Sequence, residues 1–247
     1  YGDTDSIFVF IGNEHTLDTA KVLGDELAVY INEKWRKTLE DKFNIPSYLE
    51  LEFETHFSKF FMPTIRGQEV GTKKRYAGLV EYTDNEGSAN QKIIYKGLET
   101  VRTDWTDLAK EFQQGLYYRV FNDLPVKEYV YEMVNKTLDG EFDGKLVYRK
   151  RIRRSLDKYV KNVPPHIKAA RAADEKNKAS GKPLKYQRRG RITYYLTTQG
   201  PQAIEYLSAP IDYHLYVERQ LKSVADAILP FVGTSFDEIT DHQMSLF

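Results

Sequence analysis

The sequence predicts an α+β fold: an antiparallel sheet portion with one packing helix, followed by a mainly helical region. Three observations carry this. Short runs with strand-like character cluster before Gly97, one long segment of helical period lies among them, and helical signals dominate after Asp104. With 247 residues, 41% of them hydrophobic and 13% aromatic, the chain can bury the core of one large domain or two small ones.

Taken in order, Ser6 to Phe10 reads as a strand entered through a tight Gly2-Asp3-Thr4-Asp5 turn. From Thr16 to about Phe43, apolar residues recur at Ala20, Leu23, Leu27, Ile31, Trp35 and Leu39, a spacing that places them on one helix face. Asp18 falls in the first turn of that helix, and Asn44 and Pro46 end it. Leu49, Leu51 and Phe53 alternate with Glu50 and Glu52, the period of a half-buried strand. Tyr76 to Tyr82 and Lys92 to Tyr95 read as strands flanking the Asp84-Asn85-Glu86-Gly87 turn. Asp104 is placed to cap a helix through Leu108, Phe112, Leu116 and Val120, and Pro125 to open a second. Pro164-Pro165 and Gly181-Lys182-Pro183 break the following stretch into short helices and mobile loops. A strand from Ile192 to Thr197, a helix from about Asp212 to Leu229 and a flexible tail from Thr234 complete the chain, which has no internal repeat.

The formal net charge of zero conceals a polarity. Lys145 to Arg191 holds 17 Lys and Arg against 3 Asp and Glu, leaving the rest of the chain correspondingly acidic. An imbalance of that size points to a polyanionic partner for the block. Cysteine is absent, which excludes disulfides and thiolate metal sites and leaves an intracellular protein as the default. No apolar run approaches the ~20 residues a membrane span requires, so no membrane association is expected. A chain that opens in strand-like sequence without a methionine reads as a piece of a longer one.

Asp3 and Asp5, two residues apart, would share one face of a strand or converge across a tight turn. Two hard carboxylates at a turn suit Mg²⁺, although turn stabilisation alone also accounts for such a spacing. The five histidines show no metal-ligand spacing, and Tyr186, Tyr194 and Tyr195 read as core rather than as base-stacking platforms.

The string around those aspartates, YGDTDSIF from Tyr1 to Phe8, resembles motif C of the family B DNA polymerases. The resemblance continues in order: KKRYAG (Lys73 to Gly78) is similar to the palm motif that holds primer-template DNA, and GLETVRTDW (Gly97 to Trp105) to the passage from palm to thumb. The basic stretch from Tyr148 to Lys161, with VPPH after it, resembles the thumb that wraps product duplex. The terminal QMSLF resembles the peptide with which bacterial family members bind the sliding clamp, and places the likeness nearest those members.

The resemblance implies a palm remainder over residues 1–104, a thumb over 105–233 and a tail over 234–247. It implies two Mg²⁺ held with the help of Asp5 and Asp3, Asp5 making the direct contact. Template-directed nucleotidyl transfer from dNTP belongs to the parent chain, in the bacterial cytoplasm at the nucleoid. It assigns DNA contacts to Lys73, Lys74, Arg75, Tyr76, Arg102, Arg149, Lys150, Arg151, Arg153 and Arg154, with bracing of the palm-thumb junction as the alternative for Arg102. Clamp contact falls to Gln243, Met244, Ser245, Leu246 and Phe247. The family's motifs A and B do not precede motif C here, so this stretch alone is expected to be inactive. A non-catalytic DNA-binding module is the rival reading.

Overall fold

The computed structural model describes residues 2–3, 6–63, 74–187 and 190–241. These divide into two compact units, one built from residues 2–62 and 74–96, the other chiefly from residues 97–241. Among the described residues no helix is long and apolar enough to cross a membrane.

In the first unit, strand β1 (Gly2–Asp3) pairs antiparallel with β2 (Ser6–Ile7), Gly2 opposite Ile7 and Asp3 opposite Ser6. Helix α1 (Leu17–Phe43) starts where the Thr16 hydroxyl accepts from the Thr19 amide and ends at Asn44, whose left-handed φ of 51° closes the last turn. The expected stripe is there. Ala20 is buried, Leu23, Leu27, Ile31, Trp35 and Leu39 are half-buried, and the residues between them are mostly exposed. Strands β3 (Lys59–Phe61), β4 (Tyr76–Thr83) and β5 (Ala89–Lys96) form an antiparallel sheet in chain order. Its β4–β5 turn is fastened by Asp84, whose carboxylate accepts from the amides of Glu86 and Ser88.

The strand expected at Leu49 to Phe53 does not form. Its place is taken by a side-chain mimic of a strand edge: Asn32 of α1 donates to the Leu51 carbonyl at 2.9 Å and accepts from the Leu51 amide at 2.8 Å. Those bonds satisfy the polar groups that a ladder would otherwise have paired. Nearby, Phe53 packs so closely on Gly24 that a β-carbon there would lie 2.2 Å from the ring.

The second unit opens with α2 (Asp107–Phe121), capped by Thr106 and not by Asp104: the Thr106 hydroxyl accepts from the Ala109 amide at 3.3 Å. Helix α3 (Lys127–Leu138) begins two residues after Pro125. The basic block is more ordered than its composition predicts. It contains strand β6 (Tyr148–Ile152) and one long helix, α4 (Pro165–Ala179), entered through Pro164-Pro165. β6 pairs with β7 (Gly190–Thr197), which pairs with β8 (Gly200–Ala203), and α4 packs on this sheet. The helix expected from Asp212, α5, is broken in type: it is α-helical over Tyr213–Tyr216, turns π-helical over Val217–Lys222 and returns to α over Ser223–Ala225. Phe112, Leu116, Tyr117, Ile167 and Tyr216 lie fully buried in the core of this unit.

The expected tail is partly folded. Phe236–Asp241 forms a final helix, α6, packed against α3, with Phe236 and Ile239 buried. Ser235 caps it by accepting from the Glu238 amide at 3.1 Å. A Ser-x-x-Glu pattern just before an apolar pair is a helix-start signal, and here Thr234 donates to Glu238 as well.

Candidate nucleic-acid interface

Strand alternation sorts the basic residues of β6. Tyr148 and Ile152 are buried on one face, Lys150 shares that side, and Arg149 and Arg151 are exposed on the other. Sequence reasoning grouped Arg149, Lys150 and Arg151 together; the strand separates Lys150 from its neighbours. The Lys150 ammonium lies 3.1 Å from Asp104, and the Arg102 guanidinium grips the same carboxylate through two bonds of 3.0 Å. Arg102 is therefore paired within its own unit, with its side chain still about half exposed. The Arg102 bonds, then Lys150, hold the Asp104 carboxyl well below the usual carboxylate range, and Arg102 is pushed up in return.

On the exposed face, Arg149 lies opposite Thr193 and Arg151 opposite Arg191. Arg149 makes a long 3.5 Å approach to Asp107. Arg153 and Arg154 follow the strand, both exposed, with the Arg154 guanidinium 5.4 Å from the Tyr159 ring centre. Tyr159 in turn meets His166 edge to face, and burial, with Lys150 nearby, pushes the His166 imidazole below its ordinary value. Arg171 is turned inward and donates to the carbonyls of Leu156 and Tyr159, so it shapes this loop rather than facing solvent.

Behind the strand a buried polar chain fixes its position. Thr106 donates to Gln220 Oε1 at 2.7 Å, and Gln220 Nε2 donates to the Tyr148 hydroxyl at 2.6 Å. The π-helical turn of α5 carries Gln220, so the cap of α2 and the start of β6 are tied through one side chain. Tyr148 stacks on Tyr194 and Tyr216, at 5.2 and 5.8 Å between ring centres, and the Tyr216 hydroxyl accepts from the Leu196 amide. Burial raises all three phenols, Tyr194 to about 12. Tyr186, also buried, donates to Glu205, and its amide and that of Lys185 are held by the buried Asp174. Tyr186, Tyr194 and Tyr195 are thus core residues, and none is a stacking platform.

In the first unit, Asp3 ends β1 opposite Ser6, while Asp5 lies outside the described residues. Lys73 and the 243–247 peptide also lie outside them. Lys74 adopts a left-handed φ of 64°, uncommon for a residue with a β-carbon. Tyr76 packs its ring among Phe8, Phe57 and Phe60, with centres 5.1 to 6.1 Å away. Phe8 follows the aspartate hairpin directly, so this cluster ties the hairpin to the strand that follows the lysines. Gly78 completes the fit, because a β-carbon there would lie 2.1 Å from the Phe57 ring. Among the described residues no group of three or more His, Cys, Asp or Glu could hold a metal ion.

Arg191, Thr106 and Gln220 were not singled out by sequence reasoning. Arg191 was visible only as one charge among many, and a Thr-Asp pair opening a helix marks Thr106 as a cap. Gln220 carries no local signal.

A chain with an aspartate hairpin fastened to a cation-led strand, and a separate unit whose sheet presents arginines to solvent, matches one family along nearly its whole length. It belongs to DNA polymerase family B, whose family model matches residues 1–230. Over all 247 residues it is 51% identical to DNA polymerase II of Escherichia coli K12, spanning 31% of that protein's length. It is 29% identical over 247 aligned positions to a DNA polymerase of Thermococcus kodakarensis and 27% identical over 253 to one of Pyrococcus horikoshii. Those alignments cover 94% and 97% of the chain but 13% and 18% of the relatives.

Proposed function

We propose that this chain is the part of a DNA-directed DNA polymerase that carries one carboxylate turn of the active site and grips the product duplex. On this reading residues 1–104 belong to the palm, residues 105–233 form the thumb, and the tail ends in a sliding-clamp peptide. The parent enzyme would act on primer-template DNA and dNTP in the bacterial cytoplasm, at the nucleoid. The observation that carries the duplex-gripping role is the exposed face of β6, where Arg149 and Arg151 project together from a strand locked from behind. Arginine forks on a rigid strand match the spacing-tolerant, sequence-independent phosphate contacts a copying enzyme needs.

The donor chemistry of the hairpin fits magnesium, a hard cation that takes carboxylate oxygens and completes its shell with water and phosphate. Asp5 and Asp3 would hold it, and the bound cations would lower the cost of the primer hydroxyl's attack and neutralise charge on the triphosphate. The protein's own contribution is to fix that hairpin, which Phe8 does by packing into the Phe57, Phe60 and Tyr76 cluster. Two carboxylates do not complete a two-metal set, so the 247-residue chain by itself should extend no primer. Extension abolished by Asp5→Ala would overturn that expectation.

The test of the reading is titration of the chain with labelled primer-template duplex over a salt series. Binding should be indifferent to sequence and should weaken steeply with salt. Replacing Arg149, Arg151, Arg153 and Arg154 with Gln should flatten the salt slope by about 0.9 for each phosphate left without its cation. Absence of binding at low salt would sink the proposal.

A further inference from the structure

The register of β6 against β7 places Arg151 directly opposite Arg191. Both are exposed, and as cross-strand partners they project from the same face of the sheet. Opposed residues in an antiparallel pair have β-carbons about 4.5–5.5 Å apart, where like charges repel and weaken the sheet. The acids near β6 do not relieve this. Asp104 is taken by Lys150 and Arg102, and Asp107 approaches Arg149. Among the described residues neither Arg151 nor Arg191 has an ion-pair partner. The next rung on that face sets Arg149 opposite Thr193, a short hydroxyl side chain that leaves the cations uncovered.

Two opposed guanidinium groups without an acid between them weaken the fold and add nothing to it. A single anion seated between them reverses the sign, because each fork can donate two parallel bonds to one tetrahedral oxyanion. We propose that Arg151 and Arg191 clamp one and the same backbone phosphate of the bound duplex, each strand of the β6–β7 ladder supplying one jaw. This deepens the duplex-gripping reading and rests on it. It adds Arg191 to the DNA contacts and fixes their stoichiometry: two arginines, one phosphate. Rigid strands suit the task, since the jaw spacing is set by the ladder, and the Tyr148–Tyr194 stack on the opposite face, three rungs along, steadies the same two strands.

Shared occupancy makes a distinctive prediction. The 247-residue chain and its R151Q, R191Q and R151Q/R191Q variants would be titrated with a fluorescein-labelled duplex of about 20 base pairs between about 50 and 300 mM salt. Each single change should weaken binding about tenfold, the scale of a missing charge-assisted bond, but leave the salt slope nearly unchanged, because the other arginine still neutralises the shared phosphate. The double change should cost less affinity than the two single losses combined and should flatten the slope by about 0.9 in total, one phosphate's worth. R191K, which keeps the charge but loses the fork, should weaken binding while retaining most of the slope. Without DNA, R191Q should melt no lower than the parent sequence, because it removes a repulsion, and this shows that the variant is folded.

Additive losses, with a slope flattened by about 1.8 in the double variant, would mean two separate phosphates and would overturn the clamp. R191Q binding as tightly as the parent sequence, while R149Q binds more weakly, would overturn it and leave the duplex-gripping reading standing. Failure of the unaltered chain to bind duplex at low salt would remove both.

Discussion

Replacing Gln220 with Leu tests whether the π-helical turn is what positions the basic strand. Gln220 is buried and joins the Thr106 hydroxyl to the Tyr148 hydroxyl through bonds of 2.7 and 2.6 Å. Leucine keeps the volume and leaves both hydroxyls without this partner. Thr106 still accepts from the Ala109 amide, so its loss is partial, whereas among the described residues Gln220 is the hydrogen-bond partner of the Tyr148 hydroxyl in its buried position. A stranded buried polar group costs about 1–3 kcal/mol, so the substitution should destabilise the second unit by about 3 kcal/mol. For a unit of this size that lowers Tm by about 6–12 °C. Only two tryptophans occur, Trp35 and Trp105. In a Trp35→Phe background, Trp105, adjacent to the cap, reports urea unfolding of the second unit alone. Y148F should cost less than Q220L, and the double variant Y148F/Q220L should cost clearly less than the two singles combined, because removing both partners removes the stranded group. Additive single and double costs would refute the idea that one side chain ties cap to strand.

Two further outcomes follow from the geometry. Gly115 lies inside α2, where Gly→Ala ordinarily gains about 0.5–1 kcal/mol, but a β-carbon there would lie 2.1 Å from the Tyr129 hydroxyl. Gly115→Ala should therefore destabilise by about 1–3 kcal/mol as Tyr129 leaves the Arg119 guanidinium 3.9 Å from its ring; a higher urea midpoint would contradict this. The Asp104 carboxyl is depressed on folding, so its pairing stabilises fully above the unfolded value of about 3.9, and that benefit fades as pH falls from there toward the lower folded value. The urea midpoints of Asp104→Asn and the parent sequence should differ most above about pH 5 and draw steadily together as pH falls below about 3.9; a gap independent of pH would count against the pairing.

Where a residue's role is set by its immediate neighbours, the sequence was readable. The stripe of α1, its Asn44 terminus and the Asp84 turn follow from local period and local hydrogen bonding. Local pattern misled wherever a distant group competed. Leu49 to Phe53 alternates like a strand, but Asn32 took its backbone bonds. Asp104 resembles a cap, but Arg102 and Lys150 outcompeted the helix amides, and Thr106, two residues on, filled the role. Tyr148-Arg149-Lys150-Arg151-Ile152 hid a strand because its charge masked the buried ends that define its face. The candidate site was legible as composition and motif. Its organisation was not: which cations share a face depends on the pairing of β6 with β7, across some forty residues of intervening chain.

The bond pair between Asn32 and Leu51 reads only main-chain atoms at residue 51. Any side chain can stand there without disturbing it, except proline, which would remove the amide. At residue 32 the reverse holds, since aspartate would keep the acceptor and lose the donor, and glutamine would overshoot by a methylene. One amide side chain thus fixes the address of a whole extended segment, while the segment itself remains free to change its wording.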